Sequence, residues 1–294
     1  MNAQPRNISR GSGKRNIIPF ALLSFGLLAF DPQLLHAQGG VENSVQNPQQ
    51  VVLLHWYPAG SAAQFAVGNR PTALAFDGEH MWVANSFSNT VTELKVSDGS
   101  VVNTIATGFS PAGVAFDGAN IWITEFGSNQ VLKLRASDGA PLGAFATGNG
   151  PRGLAFGANI WVVNLGSNNV TNLQASNGAH LGTFEVGLEP VAAAFDGANI
   201  WVTNESGKSV TKLRASDGKT LGTFAAGINP NGIVFDGASI WVANNITSGT
   251  VIKLRVSDGA NLGSFSVGGF PFGAAFDGAH IWVANGLSNT VSKL

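Results

Sequence analysis

Asp196-Gly197-Ala198-Asn199-Ile200-Trp201-Val202-Thr203-Asn204 is a tight-turn pair followed by a β-branched and aromatic run that closes on an asparagine. Its tryptophan returns as Trp82, Trp122, Trp161, Trp201, Trp241 and Trp282, at spacings of 40, 39, 40, 40 and 41 residues. The unit from Pro190 to Gly227 carries three more strand signals. Ala192 to Phe195 is a short apolar run before the turn. Val210 to Ala215 alternates as V-T-K-L-R-A, and Ser216-Asp217-Gly218 turns the chain into Leu221-Gly222-Thr223-Phe224. Turn signals about every ten residues and no helical apolar spacing mark an all-β chain. Each repeat is therefore read as four short antiparallel strands, a to d.

One four-stranded sheet of this size cannot bury both faces, whereas radial stacking lets each sheet cover its neighbour, and a period near 40 is the mark of a β-propeller. The repeated aromatics, Phe76, Phe116, Phe156, Phe195, Phe235 and Phe276 on strand a with the six tryptophans on strand b, are expected to fill the layers between blades. The final unit stops at Val291-Ser292-Lys293-Leu294, after strand c, while Ala63 to Gly68 matches the strand d pattern of Gly263 to Gly268. The expected closure pairs that N-terminal segment with the C-terminal blade as its outer strand, removing the open edge and making six blades. Val51 to Tyr57 also aligns in register with strand c, which leaves a truncated seventh blade as the alternative.

Composition sets the remaining bounds. The chain has 294 residues, 44% hydrophobic and 11% charged, with 38 glycines and a mean hydropathy of +0.16, as expected for a large core with many tight turns. Residues 1 to 37 differ from the rest: Arg6, Arg10, Lys14 and Arg15 precede the apolar run Ile17 to Phe30 and the segment Leu35-His36-Ala37. This is the pattern of a secretory signal peptide cleaved after about Ala37, the apolar run being shorter than the roughly 18 residues of a spanning helix. Residues 38 to 50 read as a polar linker and 51 to 294 as the propeller, giving a secreted, periplasmic or cell-surface monomer with no integral membrane segment. Cysteine is absent, which excludes disulfides, thiolate metal sites, a cysteine nucleophile and lipoprotein acylation.

Loss of the leader removes four positive charges and Asp31 from a net charge of −1, leaving about −4, the opposite of what a nucleic-acid binder needs. The recurrent pairs Lys133/Arg135, Lys212/Arg214 and Lys253/Arg255 are read as solvated strand faces.

Propeller ligands bind where the d-to-a and b-to-c loops converge, and residues that break the repeat there are the informative ones. After strand b these are Phe87, Glu125, Phe126, Glu205, Lys208 and Asn245. In the d-to-a loop they are Arg70, Arg152, Glu189, Asn231, Phe270 and Phe272. Charge mixed with aromatics fits a protein, glycan or small ligand; the competing reading is drift on exposed loops. Asn85, Asn164, Asn204, Asn244 and Asn285 end strand b, with Glu125 substituting in the second repeat. Such oxygens suit Ca²⁺ or Mg²⁺, but an asparagine at a strand end equally serves to hydrogen-bond the following turn. His80 and His280 share one turn slot without evident further zinc ligands, and His180 lies in a c-to-d turn.

I-W-V-T-N-x-x-S-N-x-V-T-K-L followed by S-D-G-x-x-L-G-T-F-x-x-G-x-x-P-x-G resembles the bacterial YVTN-type propeller repeat over residues 61 to 294, with tryptophan in place of tyrosine. It is similar also to the NHL repeat and to streptogramin B lyase, a propeller that opens a cyclic antibiotic by elimination with a divalent cation. Of that lyase's W-F-T-E repeat, only Trp122-Ile123-Thr124-Glu125 comes near. The resemblance implies a propeller. It leaves two functions: an exported, non-enzymatic binding scaffold with no cofactor, and a metal-assisted lyase or lactonase with Glu125 as an oxygen ligand.

Overall fold

In a computed structural model of the chain, residues 64–294 are described. The leader, the linker, Val51 to Tyr57 and Ala63 lie outside the described residues. The chain forms a six-bladed β-propeller of antiparallel sheets. Blade one comprises β1 (Pro71–Phe76), β2 (His80–Asn85), β3 (Thr90–Lys95) and β4 (Val101–Ala106). Blade two comprises β5 (Pro111–Phe116), β6 (Asn120–Glu125), β7 (Gln130–Arg135) and β8 (Pro141–Ala146), and blade three β9 (Pro151–Gly157), β10 (Asn159–Asn164), β11 (Asn169–Leu173) and β12 (His180–Glu185). Blade four holds β13 (Pro190–Phe195), β14 (Asn199–Asn204), β15 (Ser209–Arg214) and β16 (Thr220–Ala225); blade five holds β17 (Pro230–Phe235), β18 (Ser239–Asn244), β19 (Thr250–Arg255) and β20 (Asn261–Ser266). Blade six holds β21 (Pro271–Phe276), β22 (Ile281–Asn285) and β23 (Thr290–Lys293). The first strands of successive blades pack on one another, so they line the axis.

The seams carry the core. Trp201 and Val210 of blade four pack with Ile240, Val242, Ile252 and Leu254 of blade five in one apolar cluster. Equivalent clusters fill the seams one–two, two–three, three–four and five–six. Burying a tryptophan removes roughly 150–250 Å² from water, an upper bound of several kcal/mol at about 25 cal/mol per Å². Trp82, Trp122, Trp161 and Trp201 are fully buried.

The D-G turn does more than reverse the chain. Gly197 has φ 97°, which glycine alone adopts without strain. Asp196 Oδ1 accepts the N–H groups of Ala198 and Asn199, while Oδ2 accepts the Trp201 indole N–H at 2.7 Å. The same indole–aspartate bond recurs in blades one, two, five and six. Blade three is one residue shorter and has Gly157-Ala158 there, so Trp161 Nε1 is buried without an acceptor.

One expectation needs amending: Lys133 and Lys212 are buried rather than solvated, and Lys253 is only partly exposed. Trp201 stands opposite Lys212 in the β14–β15 register; Lys212 is 6% exposed, with its Nζ 4.9 Å from the Trp201 ring centroid. It donates at 2.6 Å to the Val256 carbonyl of the next blade. Lys133 does the same from Trp122 to Ala175 and Ser176. The hydrocarbon stem is packed and the ammonium has a carbonyl partner, so burial is compensated. Arg135, Arg214 and Arg255 do face solvent, paired with Asp138, Asp217 and Asp258. The outer strand expected from Ala63 to Gly68 begins outside the described residues; among those described, blade six carries three strands and Gln64 to Val67 none.

Candidate functional site

The two ends of the propeller differ. One carries the a-to-b and c-to-d turns, where carboxylates accept backbone N–H groups. Their hydrogen bonds hold Asp98, Asp138, Asp217 and Asp258 below the ordinary carboxylate value, led by Ser100, Ala140, Lys219 and Ala260 respectively. The other end carries the b-to-c and d-to-a loops, laced together by main-chain bonds. Ser86 and Phe87 N–H donate to Arg70 and Asn69, Phe126 and Gly127 to Ser110 and Phe109, and Glu205 and Gly207 to Glu189 and Leu188.

Most of these loops turn through the left-handed region on a residue other than glycine, Gly150 before Pro151 being the exception. Arg70, Ser110, Glu189, Asn229 and Phe270 have φ between 50° and 54° in the d-to-a loops, as does Lys208, at 52°, in a b-to-c loop. Such residues are uncommon there and their strain, on the order of 1 kcal/mol each, is held by the lacing.

The structure brings several sequence-derived candidates together. The Arg70 guanidinium lies 4.6 Å from the Phe87 ring centroid. Arg152 of blade three reaches Glu205 of blade four at 3.8 Å, both partly exposed. Glu189 accepts a short hydrogen bond from Ser206. Phe126 is 40% exposed beside Gly150, and Phe272 is exposed. The main chains of Arg152 and Asn231 are anchored across seams: Thr124 Oγ1 donates to the Arg152 carbonyl at 2.7 Å and Thr203 Oγ1 to that of Asn231 at 2.9 Å. Asn231 and Asn245 are buried, and Asn245 Nδ2 has no partner. Lys208 is exposed.

Glu125 is 1% exposed and both its oxygens are engaged. Gly108 N–H donates to Oε1 at 2.7 Å and Gln130 Nε2 to Oε2 at 2.5 Å. The strand-end asparagines bind their own loops in the same manner. Asn204 accepts from Gly187 N–H and donates to Ser209 and Thr211; Asn85, Asn164, Asn244 and Asn285 donate to the matching positions. His80 lies 3.4 Å from both Asp77 and Glu93, His280 faces Asp277, and His180 is exposed against Thr183. Among the described residues no three His, Asp or Glu side chains gather as a metal cluster.

Sequence reasoning named Phe87 and Phe126 singly but missed the wider apolar feature to which they belong. Phe87, Phe109, Phe126, Leu188, Ile228 and Leu287 all lie in the laced loops, at 40 to 69% exposure. The signal was present at the second position of G-x-x-P, where Phe109, Leu188 and Ile228 stand in different blades. Comparison by charge and aromaticity passes over aliphatic residues.

No family model and no curated protein matches the chain. Solved structures do. A protein of Bacteroides fragilis provisionally named a 6-phosphogluconolactonase superposes with a TM-score of 0.65 at 21% identity, covering 79% of this chain and 81% of that one. Streptogramin B lyase gives 0.61 at 17%, covering 78% and 84%. BamB from Moraxella catarrhalis gives 0.59 at 15%, covering 75% and 70%. These likenesses establish the propeller fold.

Proposed function

We propose that the chain is an exported, non-enzymatic propeller whose laced-loop end docks a protein partner. The observation that carries this reading is the exposure of six large apolar side chains on that end, spread over five blades. A soluble protein seldom leaves such residues grouped unless they are covered in use. Their spread favours a broad protein surface over a small ligand in a pocket, and Arg70, Arg152, Glu189 and Glu205 supply the polar contacts that set orientation. Export rests on the leader pattern of residues 1 to 37.

The test compares the mature chain with Phe87→Ser/Phe109→Ser/Phe126→Ser/Leu188→Ser, both immobilised, against an envelope and secreted-protein fraction and a glycan array. Saturable retention of a protein by the native chain, lost in the variant while circular dichroism is unchanged, supports the reading. Equal retention by both, or binding to glycans alone, overturns it. Recovery of the native chain with its first residue near Gln38 supports export, and recovery with the leader intact in the cytoplasm overturns that part.

A further inference from the structure

The six d-to-a loops share the pattern G-x-x-P, and the residue before the proline is Arg70, Ser110, Gly150, Glu189, Asn229 and Phe270 in turn. Only Arg70 and Glu189 are charged. They have opposite signs and lead into blades one and four, so in a ring of six blades they stand diametrically opposed across the laced-loop end. Both are exposed.

Neither charge meets its opposite within the chain among the described residues. The Arg70 guanidinium rests over Phe87, an arrangement that leaves its edge N–H groups free to bond a carboxylate. Glu189 is steadied by Ser206, a neutral donor. Their main chains have the same left-handed turn, at φ 54° and 51°. Arg152 and Glu205, by contrast, meet each other within one copy.

Symmetry turns this arrangement into a statement about the partner. A closed dimer applies one surface to itself about a two-fold axis. Two laced-loop ends can be set face to face with that axis lying across the end. It runs between the loops ahead of blades two and three on one side, and between those ahead of blades five and six on the other. Rotation then lays the loop ahead of blade one on the partner's loop ahead of blade four, and the reverse. Arg70 meets the partner's Glu189 twice in the dimer. The same rotation sets Phe87, 65% exposed, against the partner's Leu188, 59% exposed, and Ile228 against the partner's Leu287 and Phe272. Phe109 and Phe126 fall on the uncharged loops that hold the partner's Asn149 and the partner's Leu165.

We infer that the partner of the laced-loop end is a second copy of this chain, in a two-fold dimer registered by two Arg70–Glu189 pairs. This rests on the reading of that end as a protein-docking surface and takes the place of the monomer expected from the sequence. The exposed apolar side chains supply the affinity, and the opposed charges fix the register.

Sedimentation equilibrium of the mature chain is expected to show a dimer at about 100 μM. Arg70→Glu and Glu189→Arg each oppose like charges at both contacts. Each should weaken self-association about tenfold or more, with circular dichroism unchanged. The left-handed position already holds an arginine in one loop and a glutamate in the other, so both exchanges fit the backbone. Mixing the two variants sets two acidic positions on one chain against two basic positions on the other, and should recover the native affinity as a heterodimer. A native chain that stays monomeric, single variants that associate as tightly as the native chain, or a mixture no tighter than its components overturns the inference. Retention of a different protein by a monomeric native chain overturns it as well, while leaving the docking reading in place.

Discussion

Gln130 donates its amide N–H to the buried carboxylate of Glu125 at 2.5 Å, reversing the polarity used in the other blades. There the strand-end asparagine donates to the residue at that place, such as Thr90 or Ser209, and in blades one, three and four to a threonine two residues on. Glutamate has no N–H to give, so blade two supplies a donor at 130 and needs no acceptor at Leu132, which is apolar. Gln130→Ala is expected to cost about 1–3 kcal/mol by stranding a buried carboxylate oxygen. The triple change Glu125→Asn/Gln130→Thr/Leu132→Thr, which rebuilds the pattern of blade one, should recover most of that in urea denaturation. Because both carboxylate oxygens have protein donors, EDTA is expected to leave the midpoint unchanged; a shift would reveal a metal held at this position.

Lys212 joins two blades through its stack on Trp201 and its bond to the Val256 carbonyl. Lys212→Met keeps the stem and removes the donor, and should cost about 1–3 kcal/mol by leaving that carbonyl unpaired. The exposed Arg214→Met should cost under about 0.5 kcal/mol. Thermal midpoints of the two variants give the comparison.

Trp161 tests the missing aspartate. Its indole N–H meets no acceptor, whereas that of Trp201 is held by Asp196. Replacement by phenylalanine removes similar apolar area at both positions. Trp161→Phe should therefore be cheaper than Trp201→Phe by about 1 kcal/mol, and equal costs would remove any energetic role for the indole–aspartate bond.

Asp277 predicts the acid response. Burial favours its neutral form, but the Trp282 indole, the His280 and Ala279 N–H groups and the His280 side chain outweigh this and lower its pKa from 3.8 to about 2. A depressed folded value means that the ionised carboxylate favours the fold above the unfolded value, near 4, and that this contribution is lost as pH falls toward 2. Asp98, Asp138, Asp217 and Asp258 shift in the same direction. Midpoints measured from pH 6 to pH 2 should fall across this window, and Asp277→Asn should flatten its own share.

The Arg152–Glu205 pair is partly exposed and spans 3.8 Å. Arg152→Ala is expected to change stability by less than about 0.5 kcal/mol. If the laced-loop end docks a protein, the same variant should weaken retention and reduce its salt dependence, both readable by titration of sodium chloride against the retained partner.

The repeat alone determined the fold class, the four-strand blade and the strand b tryptophan as core, because period, turn pairs and β-branched runs are local and recur in every blade. Strand limits came within two residues. The sequence also pointed to the loops that carry Arg70–Phe87 and Arg152–Glu205. Tertiary structure decided the rest. Burial of Lys133 and Lys212 depends on a neighbouring blade supplying a carbonyl, a relation between residues more than forty positions apart that strand alternation cannot express. The engagement of Glu125 depends on Gly108 and Gln130 converging on it. The apolar loop end emerges only when six loops far apart in sequence are brought to one face, since each of its residues, taken singly, is an ordinary exposed side chain.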